Sequence, residues 1–215
     1  TANNVLIGAG ASAITSIAPG ADGQVLTSTG TVWQSEAAGG GGAWTLLDSA
    51  TASGSANVQL DQNIDTTYDV YLVEMSKVHS ASDSVDGHIL LESGGSYSTT
   101  SYHYCIEYQS SDASGFTSGS STGDDNLWTS AFRDIGNGAG RVGNLELFLF
   151  APADTSSYTT WLGRSISING SGNASFQVSG GAWDSSTAAV TGVQFKFNSG
   201  NVASGEFRLY GLALS

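Results

Sequence analysis

Several groups of residues in this chain have the types and spacing that could do chemistry. Gly119-Ser120-Ser121-Thr122-Gly123 fits G-x-S-x-G, the turn that exposes a nucleophilic serine in α/β-hydrolases. That turn needs a strand before the serine and a helix after it; here the flanks are Ser, Gly and Asp, so a loop is expected. Gly138-Ala139-Gly140-Arg141-Val142-Gly143 fits the dinucleotide pattern G-x-G-x-x-G. The run Leu145 to Phe150 follows it as a strand, where a helix N-terminus would have to hold the pyrophosphate. Asp61-Gln62-Asn63-Ile64-Asp65, with Asp69 beyond, spaces oxygen ligands like the start of a calcium loop. Its sixth position is Thr66 rather than Gly and its twelfth is Leu72 rather than a bidentate Glu, which excludes an EF-hand and favours a turn capped by Asp and Asn. His79, His88 and His103 lack H-x-x-x-H spacing and a companion Cys pair, so neither a metal nor a cofactor is expected, and no residue is read as catalytic. Glu92, Glu107 and Glu146 would need to converge to within about 5 to 9 Å to act on a glycosidic bond.

Aromatic residues offer a more physical route to a ligand. Tyr97, Tyr102, Tyr104, Tyr108, Phe116 and Trp128 flank the longest Ser- and Gly-rich segments. Aromatic faces bordered by hydroxyls and carboxylates are what a neutral glycan stacks on and hydrogen-bonds to. Tyr102, Tyr104 and Trp128 are therefore the candidate contacts for a host-surface polysaccharide. The competing role for an aromatic residue in a strand is core.

The elements that would have to position these residues are strands. Segments rich in β-branched and aromatic residues alternate with Gly/Ser/Asn/Asp clusters from residue 43 onward, and no stretch holds an apolar 3.6-residue period. Strands are expected at Trp44-Thr45-Leu46-Leu47, Tyr68 to Met75, His88 to Glu92, Tyr102 to Tyr108, Leu145 to Phe150, Thr159 to Ile168, Val193 to Phe197 and Gly205 to Leu214. Val193, Phe195 and Phe197 alternate with Gln194, Lys196 and Asn198, as in a strand with one wet face. Leu145 to Phe150 and the C-terminal strand are apolar on both faces, so each is expected between two buried surfaces, and packing between subunits is expected around Trp128 and Phe132. The expected fold is all-β: an antiparallel, jelly-roll-like sandwich over 43–215.

Composition bounds the partners. Six Lys and Arg stand against nineteen Asp and Glu, a formal charge of -13. Phosphate affinity comes from clustered basic side chains, so nucleic acid is not an expected partner, and an anionic membrane surface would repel the chain. No apolar run reaches the ~18 residues needed to span a bilayer. Cys105 is the single cysteine; an intramolecular disulfide is excluded and a buried structural thiol is expected.

Before the sandwich stands a repeat. Asn4-Val5-Leu6-Ile7-Gly8-Ala9-Gly10 is echoed by Gln24-Val25-Leu26-Thr27-Ser28-Thr29-Gly30, and each copy reads as a short hairpin, the second returning through Val32-Trp33-Gln34 and the first through Ile14-Thr15. A unit of about 20 residues has no core of its own, so its apolar side chains must be covered by something else, usually copies of itself. Val5, Leu6, Ile7, Val25, Leu26 and Trp33 are thus the candidate attachment and oligomerisation residues. A closed three-fold assembly would bury them and remove exposed strand edges. Gly39-Gly40-Gly41-Gly42 marks a hinge between this 1–38 segment and the 43–215 domain.

The paired phrase, with Gly23-Gln24-Val25-Leu26 and the closing Trp33-Gln34-Ser35, resembles the V-L-x-x-x-G…W-x-S segments of tailed-bacteriophage fibre and appendage proteins. Trp44-Thr45-Leu46-Leu47, Tyr68-Asp69-Val70-Tyr71 and Gly205 to Leu212 resemble β domains of phage virions, so the resemblance spans nearly the whole chain. It implies a non-enzymatic protein on the exterior of the virion, a tail fibre, head fibre or decoration protein. Such proteins are commonly homotrimers, anchored at one end to capsid or tail proteins. A receptor-binding module for host polysaccharide is the alternative, and a depolymerase a more distant one.

Overall fold

The computed structural model of the chain describes residues 4–8, 14–18, 20–21, 24–28, 30–37, 43–127 and 131–212. The tetraglycine, Trp128 and Thr29 of the second hairpin turn lie outside the described residues. Two compact units divide between Gly42 and Ala43.

In the first unit, β1 (Val5–Ile7) pairs antiparallel with β2 (Thr15–Ile17), and β3 (Gln24–Ser28) pairs with β4 (Trp33–Ala37). Each is a two-stranded ribbon; Val5, Ile7, Thr15 and Ile17 make the first rich in β-branched residues, whereas the second has only Val25 and Thr27 in its strands. Gly30 adopts φ +86°, a left-handed conformation that a side chain would resist, and this closes the β3–β4 turn. Two strands offer no enclosed side, so the apolar residues stay wet: Leu6 is 71% exposed, and Val5, Val25, Leu26 and Trp33 are exposed as well.

The second unit carries β5 (Trp44–Ser55), β6 (Val58–Leu60), β7 (Val70–Ser80), β8 (Gly87–Ser93), β9 (Ser96–Tyr97), β10 (Tyr102–Ser110), β11 (Thr117–Asp124), β12 (Gly143–Phe150), β13 (Thr159–Ile168), β14 (Ala174–Trp183), β15 (Gly192–Phe197) and β16 (Val202–Leu212). All pairings are antiparallel, and the described residues contain no helix. One sheet has the order β11-β10-β14-β13-β12-β7-β16-β5 and the other β6-β15-β8-β9. Within these, β5-β16-β7-β12 faces β6-β15-β8-β9, the connectivity of a jelly roll in which the first and last strands are neighbours. The remaining four strands are insertions. β10 and β11 enter between β9 and β12, β13 and β14 between β12 and β15, and together they extend the larger sheet beyond β12.

Alternation along each strand builds the core between the sheets. Tyr71, Val73 and Met75 of β7, Leu145, Leu147 and Leu149 of β12, and Phe207 and Leu209 of β16 point inward. They meet Ile89 and Leu91 of β8 and Val193, Phe195 and Phe197 of β15. Phe195 is the hub, its ring centroid 5.6 Å from Phe132, 5.1 Å from Phe197 and 5.6 Å from Phe207. Burying side chains of this size stabilises by about 1.5–3 kcal/mol each.

Several expectations change. Phe132, expected at a subunit contact, is a core residue. Gln194 is buried, so β15 is drier on its second face than its alternation implied. Gly119–Gly123 lies within strand β11, not in a loop. Cys105 is exposed rather than buried, because it has the outward parity of β10. Strands β12 and β16 have one face in the core, but their second face is open, with Phe150 38% exposed.

Candidate functional site

The outward face of the eight-stranded sheet is built by cross-strand register. Reading across it, Leu46, Tyr210, Leu72, Phe148, Leu162, Gly180, Cys105 and Ser120 are successive partners from β5 to β11. Leu46 is 54% and Leu162 49% exposed. The flanking positions Ile166, Phe176 and Val178 are exposed too, and so are Trp44 and Phe150. Trp44 packs on Phe148 at 6.1 Å between centroids.

Strand β13 shows how far this face departs from the usual arrangement. Its alternation alone would bury Leu162 and Ile166 and wet Ser165 and Ser167. The reverse holds: the serines are buried and the leucine and isoleucine lie outside. The cause is register. Leu145 opposes Ser165 and Leu147 opposes Gly163, so the packing of β12 into the core fixes the parity of β13.

One row along, the sheet carries charge. Arg208, Glu74, Glu146 and Arg164 are successive partners across β16, β7, β12 and β13. Two nitrogens of Arg164 donate to one oxygen of Glu146, Nη2 at 2.6 Å and Nε at 2.7 Å. Arg208 binds Glu206 and lies 3.7 Å from Glu74, whose carboxylate also accepts from the Tyr210 hydroxyl at 3.3 Å. Hydrogen bonding to Glu206 raises the Arg208 pKa, and burial, then the charge of Glu74, raises that of Tyr210. With Glu206 beside Arg208, and Glu107 two strands beyond Arg164 on the same row, this face holds four carboxylates against two guanidinium groups. An open groove of about 390 Å³ lies here, bordered by Ser76, Asn144, Glu146, Arg164, Ile166 and Phe176.

The glycan candidates are dispersed. Tyr102 is fully buried; its hydroxyl accepts from Leu91 N at 2.9 Å and donates to Ser98 O at 3.2 Å, and burial pushes its pKa up to about 12. This corrects its reading as a surface contact. Tyr104 is half-buried against the core, and Trp128 lies outside the described residues. Aromatic side chains at inward parity were drawn into the core, as their competing role required. By contrast, the six hairpin candidates are at hand: Val5, Leu6, Val25, Leu26 and Trp33 are exposed and Ile7 is half-buried.

Candidate chemistry is equally scattered. His79, His88 and His103 sit on β7, β8 and β10, with His103 paired to Asp184 at 2.8 Å, and burial lowers the His88 pKa. Among the described residues no group of three or more His, Cys, Asp or Glu side chains converges on a point that could hold a metal. Glu107 and Glu146 share an outward row three strands apart, about 14 Å at ordinary strand spacing, outside the range for a glycosidase pair. Glu92 belongs to the other sheet. The residues that reasoning from sequence missed are Leu46, Leu162, Ile166, Phe176 and Val178. Their signal was the apolar content of both faces of Leu145 to Phe150, which marked the neighbourhood but not the strands beside it.

Comparison of the chain with family models, with curated proteins and with solved structures returned no match.

Proposed function

We propose that the chain is a structural subunit of a tailed-bacteriophage virion, a homotrimeric fibre or capsid-decoration protein whose residues 1–38 attach and associate and whose sandwich domain faces outward. One observation carries this reading: the duplicated hairpins leave Val5, Leu6, Val25, Leu26 and Trp33 exposed in ribbons that have no inside. Exposed apolar side chains at matching positions of a sequence repeat are stable in water when sister copies cover them. The resemblance of the repeated phrase to phage appendage segments supplies the virion setting. The receptor-binding alternative rests on residues of which Tyr102 is now in the core, so it is not the reading preferred.

Light scattering on the intact chain tests this. The expected mass is three times the 21.9 kDa of one copy. Replacing Leu6 and Leu26 together by Ser is expected to weaken the assembly, and electron microscopy of gold-labelled particles should locate the protein on capsid or tail. A monomer that persists at tens of micromolar would overturn the reading.

A further inference from the structure

We propose that Asn137, in the segment that leads into β12, is a site of spontaneous covalent modification, its side-chain amide being lost to attack by the next backbone nitrogen to give aspartate and isoaspartate. The site belongs to the sandwich unit, and the inference stands apart from the homotrimeric reading above.

The chemistry asks for a free carboxamide and a free peptide nitrogen. The nitrogen of the following residue gives up its proton and attacks the asparagine Cγ; the new N–C bond closes a five-membered succinimide, and the carboxamide NH2 takes up that proton and leaves as ammonia. Water then adds to one of the two ring carbonyls and opens the ring. Glycine in the following position has no Cβ to obstruct the nitrogen. Asn-Gly occurs twice in the chain, at Asn137-Gly138 and Asn169-Gly170. With the dipeptide the same, the fold decides between them.

At Asn169 both reacting groups are engaged. The side-chain oxygen accepts from Ser171 N at 3.0 Å and from Asn173 N at 2.9 Å, while Gly170 N donates to Asp134 O at 2.9 Å. Asn137 is the opposite case. Its side chain is exposed and makes one long hydrogen bond, Nδ2 to Ala81 O at 3.4 Å, and Gly138 N meets no acceptor among the described residues. The anchors of this loop lie on either side of the reacting atoms: Asn137 N donates to Asp83 Oδ1 at 3.1 Å, and Gly138 O lies 3.3 Å from His79 Nε2. They hold the loop without engaging the Cγ or the Gly138 nitrogen. Reaction at Asn169 must await an opening that breaks three hydrogen bonds, reaction at Asn137 only one weak one, so Asn137 is expected to convert at least about tenfold faster.

The product alters the loop. A carboxylate at 137 has no proton to donate to Ala81 O and adds a negative charge near Asp83, and isoaspartate inserts a further carbon into the main chain between the two anchors. The chain thereby gains an acidic form beyond its -13.

The full chain, folded and denatured, is incubated in mildly alkaline buffer and followed by peptide mapping with mass spectrometry, with ion exchange to separate the acidic form. In the folded chain the peptide carrying Asn137 is expected to convert at least about tenfold faster than the one carrying Asn169; in the denatured chain, where no local hydrogen bond protects either, the two rates should converge. Asn137→Gln, whose ring closure needs one more atom, is expected to remove the modified peptide and the acidic form together. Equal rates at the two sites in the folded chain, or an Asn137 that stays intact there while the denatured chain converts, would overturn the proposal. So would an acidic form that persists in Asn137→Gln. None of these outcomes bears on the trimer, which light scattering tests separately.

Discussion

Tyr102 shows what a single side chain can be asked to do in this fold. Its ring closes the core beside Trp183, at 6.4 Å between centroids, and its hydroxyl ties the backbone of Leu91 to that of Ser98. Tyr102→Phe keeps the ring and strands the Leu91 N–H, so it is expected to cost about 1–3 kcal/mol in chemical denaturation at neutral pH. The same group makes stability fall in alkali. Its phenol titrates near 10.0 when the chain is unfolded and is pushed up to about 12 by burial, and Tyr97 is pushed up to about 12 for the same first cause. Above the lower value the unfolded chain releases protons that the folded chain retains, so the stabilisation is complete below pH ~10 and is lost as pH rises towards ~12. The urea midpoint of the parent should drop between about pH 10 and pH 12, and the Tyr102→Phe drop should be distinctly smaller. Equal drops in the two proteins would assign the alkaline loss to other groups.

Strands were legible where a periodic signal was strong and illegible where neighbours supplied the reason for the strand. Thr159 to Ile168 was read with its observed bounds, and Val193 to Phe197 within one residue, because β-branched and aromatic residues alternate there. Strand β11, Thr-Ser-Gly-Ser-Ser-Thr-Gly-Asp, has no apolar residue and exists because β10 offers it a ladder. Strand β14 is interrupted in sequence by Gly180-Gly181 yet runs unbroken between β13 and β10. The site was legible only in part, since apolar runs betray strands that face two surfaces but cannot say whether the second belongs to the same chain. Gly181 tests the element directly. A Cβ there would overlap the His103 carbonyl oxygen of the adjoining strand, a backbone atom that cannot step aside, whereas a Cβ at Gly180 would lie 3.2 Å from Trp161 O. Gly181→Ala is expected to lower stability by about 1–3 kcal/mol through overpacking, and Gly180→Ala by clearly less. Thermal unfolding of the two variants side by side checks the order; a reversed order would mean that β10 does not hold β14 in this register.

At the scale of the whole molecule, the proposed association of copies through the hairpins makes a demand on how that association responds to salt. Each chain carries -13, while the hairpins expose Val5, Leu6, Val25, Leu26 and Trp33. Contacts made there gain from removing apolar surface from water, a term that salt does not screen. The opposing term is long-range repulsion between acidic copies, and its reach shrinks from about 20 Å or more at low salt to less than 8 Å above physiological ionic strength. Association should therefore tighten with salt, by roughly three- to tenfold between about 0.02 and 0.5 M sodium chloride, measured as the dissociation concentration in sedimentation. An interface made by charges bridging copies behaves oppositely and loosens. Loosening here would mean that Arg164 and Arg208 exchange their own carboxylates for those of a neighbour. Charges bridging copies, rather than covered hairpin leucines and valines, would then be what holds the assembly together.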